Sequence, residues 1–437
     1  MKKTYIDTAM ERIAPDLILK GGNVVDVFSG RVIKADVIIK DGIICGVGSY
    51  SGENEQDVSG KYIMPGFIDS HVHIESSMTQ PSEYAKAVMP HGITTVIADP
   101  HEITNVCGED GLEFMLKSAE NIPLDVNLML PSCVPATPFE HTGANLDAKT
   151  TQKLAPKFFG IGEMMNYPGI VSGDDETLGK LCLDIIDGHA PLLSGHELDA
   201  YASAGIKTDH ECSVIEEMTE KISKGMYILL REGTLSLDVA KLIKGVTPYT
   251  LRRCAFCTDD RFVGEIIRDG SIDHCIRKAV SLGLNNIDAI IMATLNACEM
   301  YGMKNKGAIA PSYVADIVVA DDLNLSSISQ VYKNGKLVCE NGKALFECET
   351  VDNSKVTNTV HLPKISADFF KTDVKDKFDA IELIPESIIT KKVTVSYSDS
   401  LSKVCVIERH HNLGTKGIGF VTNYGITNGA IATTVIT

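Results

Sequence analysis

The stretch Pro65-Gly66-Phe67-Ile68-Asp69-Ser70-His71-Val72-His73-Ile74-Glu75 decides how this chain is read. An apolar run opens it, and two imidazoles close it. Side chains two apart on a strand share a face, so His71 and His73 present their rings together. An isolated HxH is more often a His-rich turn than a ligand pair. At the end of an apolar strand, within a repeating strand–helix pattern, the balance moves to metal binding.

That pattern runs from Phe67 to about Tyr301, where short apolar strands alternate with amphipathic segments as in parallel βα units. Strands are expected at 67–74, 94–99, 126–130, 158–165, 183–189, 207–212, 227–231 and 254–260. Helices are expected at 113–120, 197–204, 214–224, 237–243 and 272–282, where apolar residues recur every three to four positions. Eight strands over about 235 residues suit a (β/α)8 barrel, typically about 250 residues long. A doubly wound open sheet is the competing arrangement.

The residues at the strand ends favour the barrel. Glu163 follows Phe159-Gly160-Ile161-Gly162 on strand four, His189 lies on strand five and His210 on strand six, while Asp259 and Asp260 close strand eight. A single His or Glu at such a place is more often a satisfied hydrogen bonder. Four imidazoles plus carboxylates at ends one, four, five, six and eight form a set that only a barrel gathers around one axis. Imidazole and carboxylate ligands without thiolate suit Zn, Mn or Fe(II).

Two β-rich blocks flank this region. Residues 17–20 and 24–28 surround Gly21-Gly22, and 37–40 and 43–47 surround Asp41-Gly42. Far downstream, 315–320 is strand-like, and 331–333 and 336–339 surround Asn334-Gly335, another type I′ hairpin signal. The blocks are two domains or one sheet split by an insertion. Beyond Asn353, strands are expected at 381–383, 393–396, 404–408 and 418–421. A glycine-rich end (Gly414, Gly417, Gly419, Gly425, Gly429) reads as a loop-rich lid or packing segment.

Composition narrows the function. The 437 residues are 44% hydrophobic and 23% charged, with a net charge of −17. An acidic surface repels nucleic-acid backbone and anionic lipid, so neither is an expected partner. No stretch approaches the ~20 apolar residues of a membrane helix. The amino terminus mixes charges of both signs and does not read as a signal peptide. Twelve cysteines in so long a chain fit reduced thiols, and a cytoplasmic location is expected. No phosphate-binding loop, serine-nucleophile elbow or dinucleotide fingerprint occurs. Cys254-Ala255-Phe256-Cys257 lacks a second pair and reads as buried packing. His196 fits a helix start, and His410-His411 a surface or lid feature.

The run GFIDSHVHIES (66–76), followed by a Glu, two separate His and a late Asp, resembles the amidohydrolase superfamily. More narrowly, HIESSM (73–78), ITTVIADPHEI (93–103), GIGEMMNYPG (160–169), IIDGHAP (185–191) and CTDDR (257–261) are similar to the bacterial adenine deaminase family. The match spans about Asp16 to Val435. The resemblance implies a (β/α)8 TIM-like barrel inserted in a small β-sandwich built from both flanks. Residues 1–62 and 308–350 would form the sandwich, 63–307 the catalytic barrel and 351–437 a C-terminal β-containing domain. Family members continue past a segment like 429–435, so this last domain is expected to be incomplete relative to them.

The same resemblance implies hydrolytic deamination of adenine to hypoxanthine and ammonia, with two Mn(2+) or Fe(2+) ions per subunit. His71, His73 and Asp259 would hold one ion and His189 and His210 the other, with Glu163 bridging. Asp259, Glu163 and His210 would be catalytic, Asp259 moving the proton. His101, Glu102, Arg231, Glu232 and Asp260 sit where they could bind the purine, although a capping or supporting role is as well supported. Glu75, Ser76 and Ser77 are supporting residues or turn formers. A homodimer is expected, and adenine is the expected small-molecule partner. The alternatives are a cyclic-amide or N-acetyl hydrolase on the same scaffold, or a non-catalytic barrel paralogue. Members that use a carboxylated lysine carry it on strand four, where this chain has Glu163. A non-catalytic paralogue predicts a degraded ligand set, and none of the six ligands is missing.

Overall fold

The computed structural model describes residues 1–373, 376–385, 390–398, 401–425, 429 and 431. All eight barrel strands form: Phe67–Val72, Ile93–Ala98, Asp125–Leu130, Gly160–Met164, Ile186–Gly188, Thr208–Asp209, Tyr227–Arg231 and Cys254–Cys257. Neighbours in sequence pair in parallel, strands one to five in one sheet and six to eight in another. The ring closes at both seams. Val72 bridges Asp259 in parallel, Asp259 N–H donates to His71 C=O at 3.0 Å, and Lys207 N–H reaches Ile186 C=O at 3.5 Å. A doubly wound sheet has open edges, so that alternative is excluded.

Strands five and six are shorter than their apolar runs suggest. Asp209 explains the second case. Its Oδ1 accepts the N–H of Glu211 at 2.6 Å, an Asx-type turn that draws the backbone out of the ladder. The packing helices follow the expected periodicity, at Glu109–Ala119, Gly195–Ser203, Ile215–Ser223, Val239–Leu242 and Ile272–Ser281. In the last of these Ile272, Cys275, Ile276 and Ala279 are all buried, one apolar face turned to the barrel. Burial of each large aliphatic side chain is worth roughly 1.5–3 kcal/mol.

The two flanking blocks build one hydrogen-bonded sheet of nine strands. Tyr62–Pro65 pairs with Ile317–Ala320, with Pro65 opposite Ile317, so the strand entering the barrel lies against one that leaves it. Asp41-Gly42 and Asn334-Gly335 both take positive φ at both residues, as a type I′ turn requires. Lys333 ties this sheet to the foot of the barrel, reaching Asp125 at 2.9 Å and Asp316 at 2.8 Å. Lys306 joins the same two carboxylates.

The C-terminal unit is a four-stranded sheet in the order Thr390–Val395, Phe378–Leu383, Lys416–Thr422, Ser402–Ile407. Gly417 and Gly419, expected in a loop-rich segment, pair with Val406 and Val404 inside this sheet. His411 Nε2 donates to Thr142 C=O at 3.0 Å, placing this unit against the loop after strand three. All twelve cysteines are free thiols, with Cys254 and Cys257 buried. Among the described residues no helix is long and apolar enough to cross a membrane.

Candidate metal centre

His71 and His73 flank Val72, which packs outward into the apolar core, so both rings enter the barrel. Their Nε2 atoms face each other at 3.1 Å. His73 Nδ1 lies 2.8 Å from Asp99 C=O and must carry the proton there, which leaves its Nε2 a bare lone pair. His71 Nδ1 faces Asp187 at 3.6 Å, which favours the same tautomer. Asp259 Oδ1 completes the group, 3.1 Å from His73 Nε2 and 3.6 Å from His71 Nε2. Acceptors converging from three sides in a buried pocket repel one another unless a cation lies among them.

Glu163 spans this group and a second one. Its Oε1 is 3.4 Å from His73 Nε2. Its Oε2 is 2.6 Å from His189 Nδ1 and 3.1 Å from His210 Nε2. The backbone beneath it is held by Asp99, whose Oδ2 accepts Glu163 N–H at 2.9 Å. Glycine is needed next door, because a Cβ at Gly162 would lie 2.2 Å from that oxygen. His71, His73, His210, Glu163 and Asp259 are buried, and His189 is partly exposed. His71–His73–Glu163, His71–His210–Asp259 and Glu163–His189–His210 each bring their donor atoms within 4.8 Å, a spacing that fits divalent metal.

With protons on the imidazoles in place of a metal cation, positive charge holds the carboxylates ionised. Burial pushes the Glu163 carboxyl up, but His189, His101 and His210 outweigh it and keep it well below the usual range. Burial likewise opposes ionisation of Asp259, and His73 and Arg231 overcome it. Asp259 itself adopts φ 55°, a left-handed conformation that turns its carboxylate from the strand line into the pocket.

The remaining expected residues divide. His101 enters the cluster, with Nδ1 3.2 Å from Glu163 and Nε2 3.2 Å from Glu102. Asp260 accepts from Ser76 at the rim. Arg231 is buried and committed to protein carboxylates, Asp259 at 2.9 Å, Asp238 at 3.2 Å and Glu211. Glu232 pairs with Lys278 on the helix outside the strands. Its ion pair turns it away from the imidazoles. Glu75, near Glu102, is raised to about 8 by burial and that like charge, and it accepts Ile103 N–H at 3.3 Å.

Two residues escaped the sequence reading. Glu211 lies 3.5 Å from His210 Nε2 and 3.7 Å from His189 Nδ1. Alternation predicts that a neighbour of His210 points away, but the strand has already ended at Asp209. Asp187 supports His71 and accepts from Tyr301 Oη at 3.0 Å. Its place two residues before His189 was the available signal.

Comparison with known proteins bears directly on this site. The amidohydrolase family model matches residues 62–338, more than half the chain. The chain belongs to the amidohydrolase family. Solved structures share its fold, among them an enamidase (TM-score 0.57, 18% identity, 76% of this chain and 97% of that one). A β-aspartyl dipeptidase from Fervidobacterium islandicum is similar as well (TM-score 0.54, 19% identity, 77% and 98% covered). Within the family the chain falls among the adenine deaminases. It is 47% identical to that of Clostridium acetobutylicum over 98% of this chain and 79% of the relative. It is 45% identical to that of Halalkalibacterium halodurans, covering 96% and 76%. Residues 383–437 match the adenine deaminase C-terminal domain.

Proposed function

We propose that this protein is a metal-dependent adenine deaminase, converting adenine and water to hypoxanthine and ammonia. One observation carries the reading: the buried cluster of imidazole and carboxylate acceptors lies in a chain 47% identical to an adenine deaminase over 98% of its length. His71, His73 and Asp259 would hold one Mn(2+) or Fe(2+) ion, His189 and His210 a second, and Glu163 both. When bound, the metal supplies the nucleophile, because it lowers the pKa of a coordinated water toward neutrality.

The chain's own groups handle the protons and the purine. Arg231 occupies Asp259 Oδ2, so Oδ1 faces the cluster. From there Asp259 takes a proton from the water and returns it to the departing amine at C6. His101, Glu102 and Asp260 contact the purine edge, where a polar heterocycle needs partners to offset its desolvation. We read residues 63–307 as the catalytic barrel, 1–62 and 308–350 as the flanking β domain and 351–437 as the C-terminal domain. The active species in this reading is a cytoplasmic homodimer.

A substrate panel tests the activity. Adenine should release one ammonia per hypoxanthine, and chelation followed by Mn(2+) addition should abolish and restore turnover. Ring opening of dihydroorotate or hydantoin in preference to adenine would replace this reading with that of a cyclic-amide hydrolase. Light scattering that finds a monomer at micromolar concentration would remove the dimer.

A further inference from the structure

Lys221 lies on the helix Ile215–Ser223, outside the strands, and its side chain is wholly buried. A buried ammonium is costly unless every proton is matched. Here all three are. Nζ donates to Ala190 C=O at 2.7 Å, to Asp209 Oδ2 at 2.6 Å and to Glu217 Oε1 at 2.7 Å.

These acceptors stand beside the second pair of imidazoles. Ala190 follows His189 directly, and Asp209 precedes His210. Each carboxylate also holds one backbone N–H from the loop after strand five and one from the loop after strand six. Asp209 accepts from Ala190 at 3.3 Å and from Glu211 at 2.6 Å. Glu217 accepts from Leu192 at 2.7 Å and from Ser213 at 3.3 Å. Two buried carboxylates so close would repel each other without the ammonium between them. The loops that carry His189 and His210 are therefore cross-linked by a unit whose charge balance rests on Lys221.

We propose that Lys221 is a positioning residue for the His189–His210 pair, setting the separation of the two rings and hence affinity for the second metal ion. The inference rests on the two-ion reading above. Supporting contacts of this kind are typically worth about 10–100-fold in metal affinity.

The test is metal stoichiometry and affinity, by elemental analysis and Mn(2+) titration, on wild type, Lys221→Met and Lys333→Met. Lys333 is also a buried lysine between two carboxylates, but at the foot of the barrel. Lys221→Met should keep one tight ion and bind the second about 10–100-fold more weakly, while Lys333→Met keeps both. Wild-type affinity for both ions in folded Lys221→Met would overturn the proposal. So would equal metal loss in Lys333→Met, which marks general destabilisation. If Lys221→Met gives no cooperative melt, Glu217→Gln carries the test, since it keeps size and acceptor but drops a charge. It should weaken the same ion by less, and an unchanged second ion there rejects the idea. Wild type that binds no second ion removes the two-ion reading itself, and that outcome is visible without any variant.

Discussion

Arg231 Nη1 lies 2.9 Å from Asp259 Oδ2, and the same guanidinium engages Glu211 and Asp238. One buried cation thus orders three carboxylates, two of which, Asp259 and Glu211, face the imidazoles. Its planar fork of donors suits that task, while a lysine offers a single point of charge. The arrangement gives Asp259 one oxygen for the protein and one for chemistry.

Arg231→Lys should therefore lower kcat by about 10–100-fold, the usual cost of losing a group that orients a ligand. KM for adenine should change little. Steady-state kinetics separate this from purine binding by Arg231, which would raise KM and leave kcat nearer wild type.

Much of this site was legible from period and position. The two-residue spacing of His71 and His73 placed both rings inside the barrel, and strand-end placement found Glu163, His189, His210 and Asp259. Charge balance was not legible. Arg231 was located correctly as a polar group near the mouth, yet its partners come from three separate segments, and no local pattern announces them. Glu232 shows the same limit, since its partner Lys278 lies 46 positions away. Glu211 reaches the imidazoles because its strand ends at Asp209, short of the expected 212.

Glu163→Gln tests the span between the two donor groups. The variant keeps the side chain's size but loses the charge that two cations would share. Bound metal, measured on pure protein, should fall below the wild-type level, with activity falling in step. Full metal content would leave a site that Glu163 does not bridge.

The foot of the barrel gives a pH prediction with a definite sign. Burial pushes the Asp316 carboxyl up, but Lys306 and Lys333 outweigh it and hold it below its usual value. A carboxyl depressed in the folded state contributes stability above its unfolded pKa, about 3.9, and loses it as pH falls through the folded value. The melting temperature should thus be steady near neutrality and drop below about pH 4. Asp316→Asn should cost about 3–5 kcal/mol at pH 7, the range for breaking a buried pair, and should show a shallower acid slope. Parallel wild-type and variant slopes in thermal melts across pH 7 to about 3 would reject the assignment.

Asp259→Asn separates proton transfer from metal binding. The amide keeps an oxygen that can face His73 and His71, so a substantial share of the metal should remain. It cannot accept and return a proton, and the Arg231 contact weakens because the partner is no longer charged. We expect kcat to fall by at least ~10², the low end for a lost general acid–base group. Adenine binding should weaken much less than turnover, since the missing interaction belongs to the transition state. Elemental analysis, equilibrium binding and initial rates on one preparation distinguish the outcomes. Loss of metal in proportion to activity would make Asp259 a ligand first. Near-wild-type turnover would remove the proton-transfer role outright and shift it to another carboxylate at the site, with Glu211 at 3.5 Å from His210 the next to test.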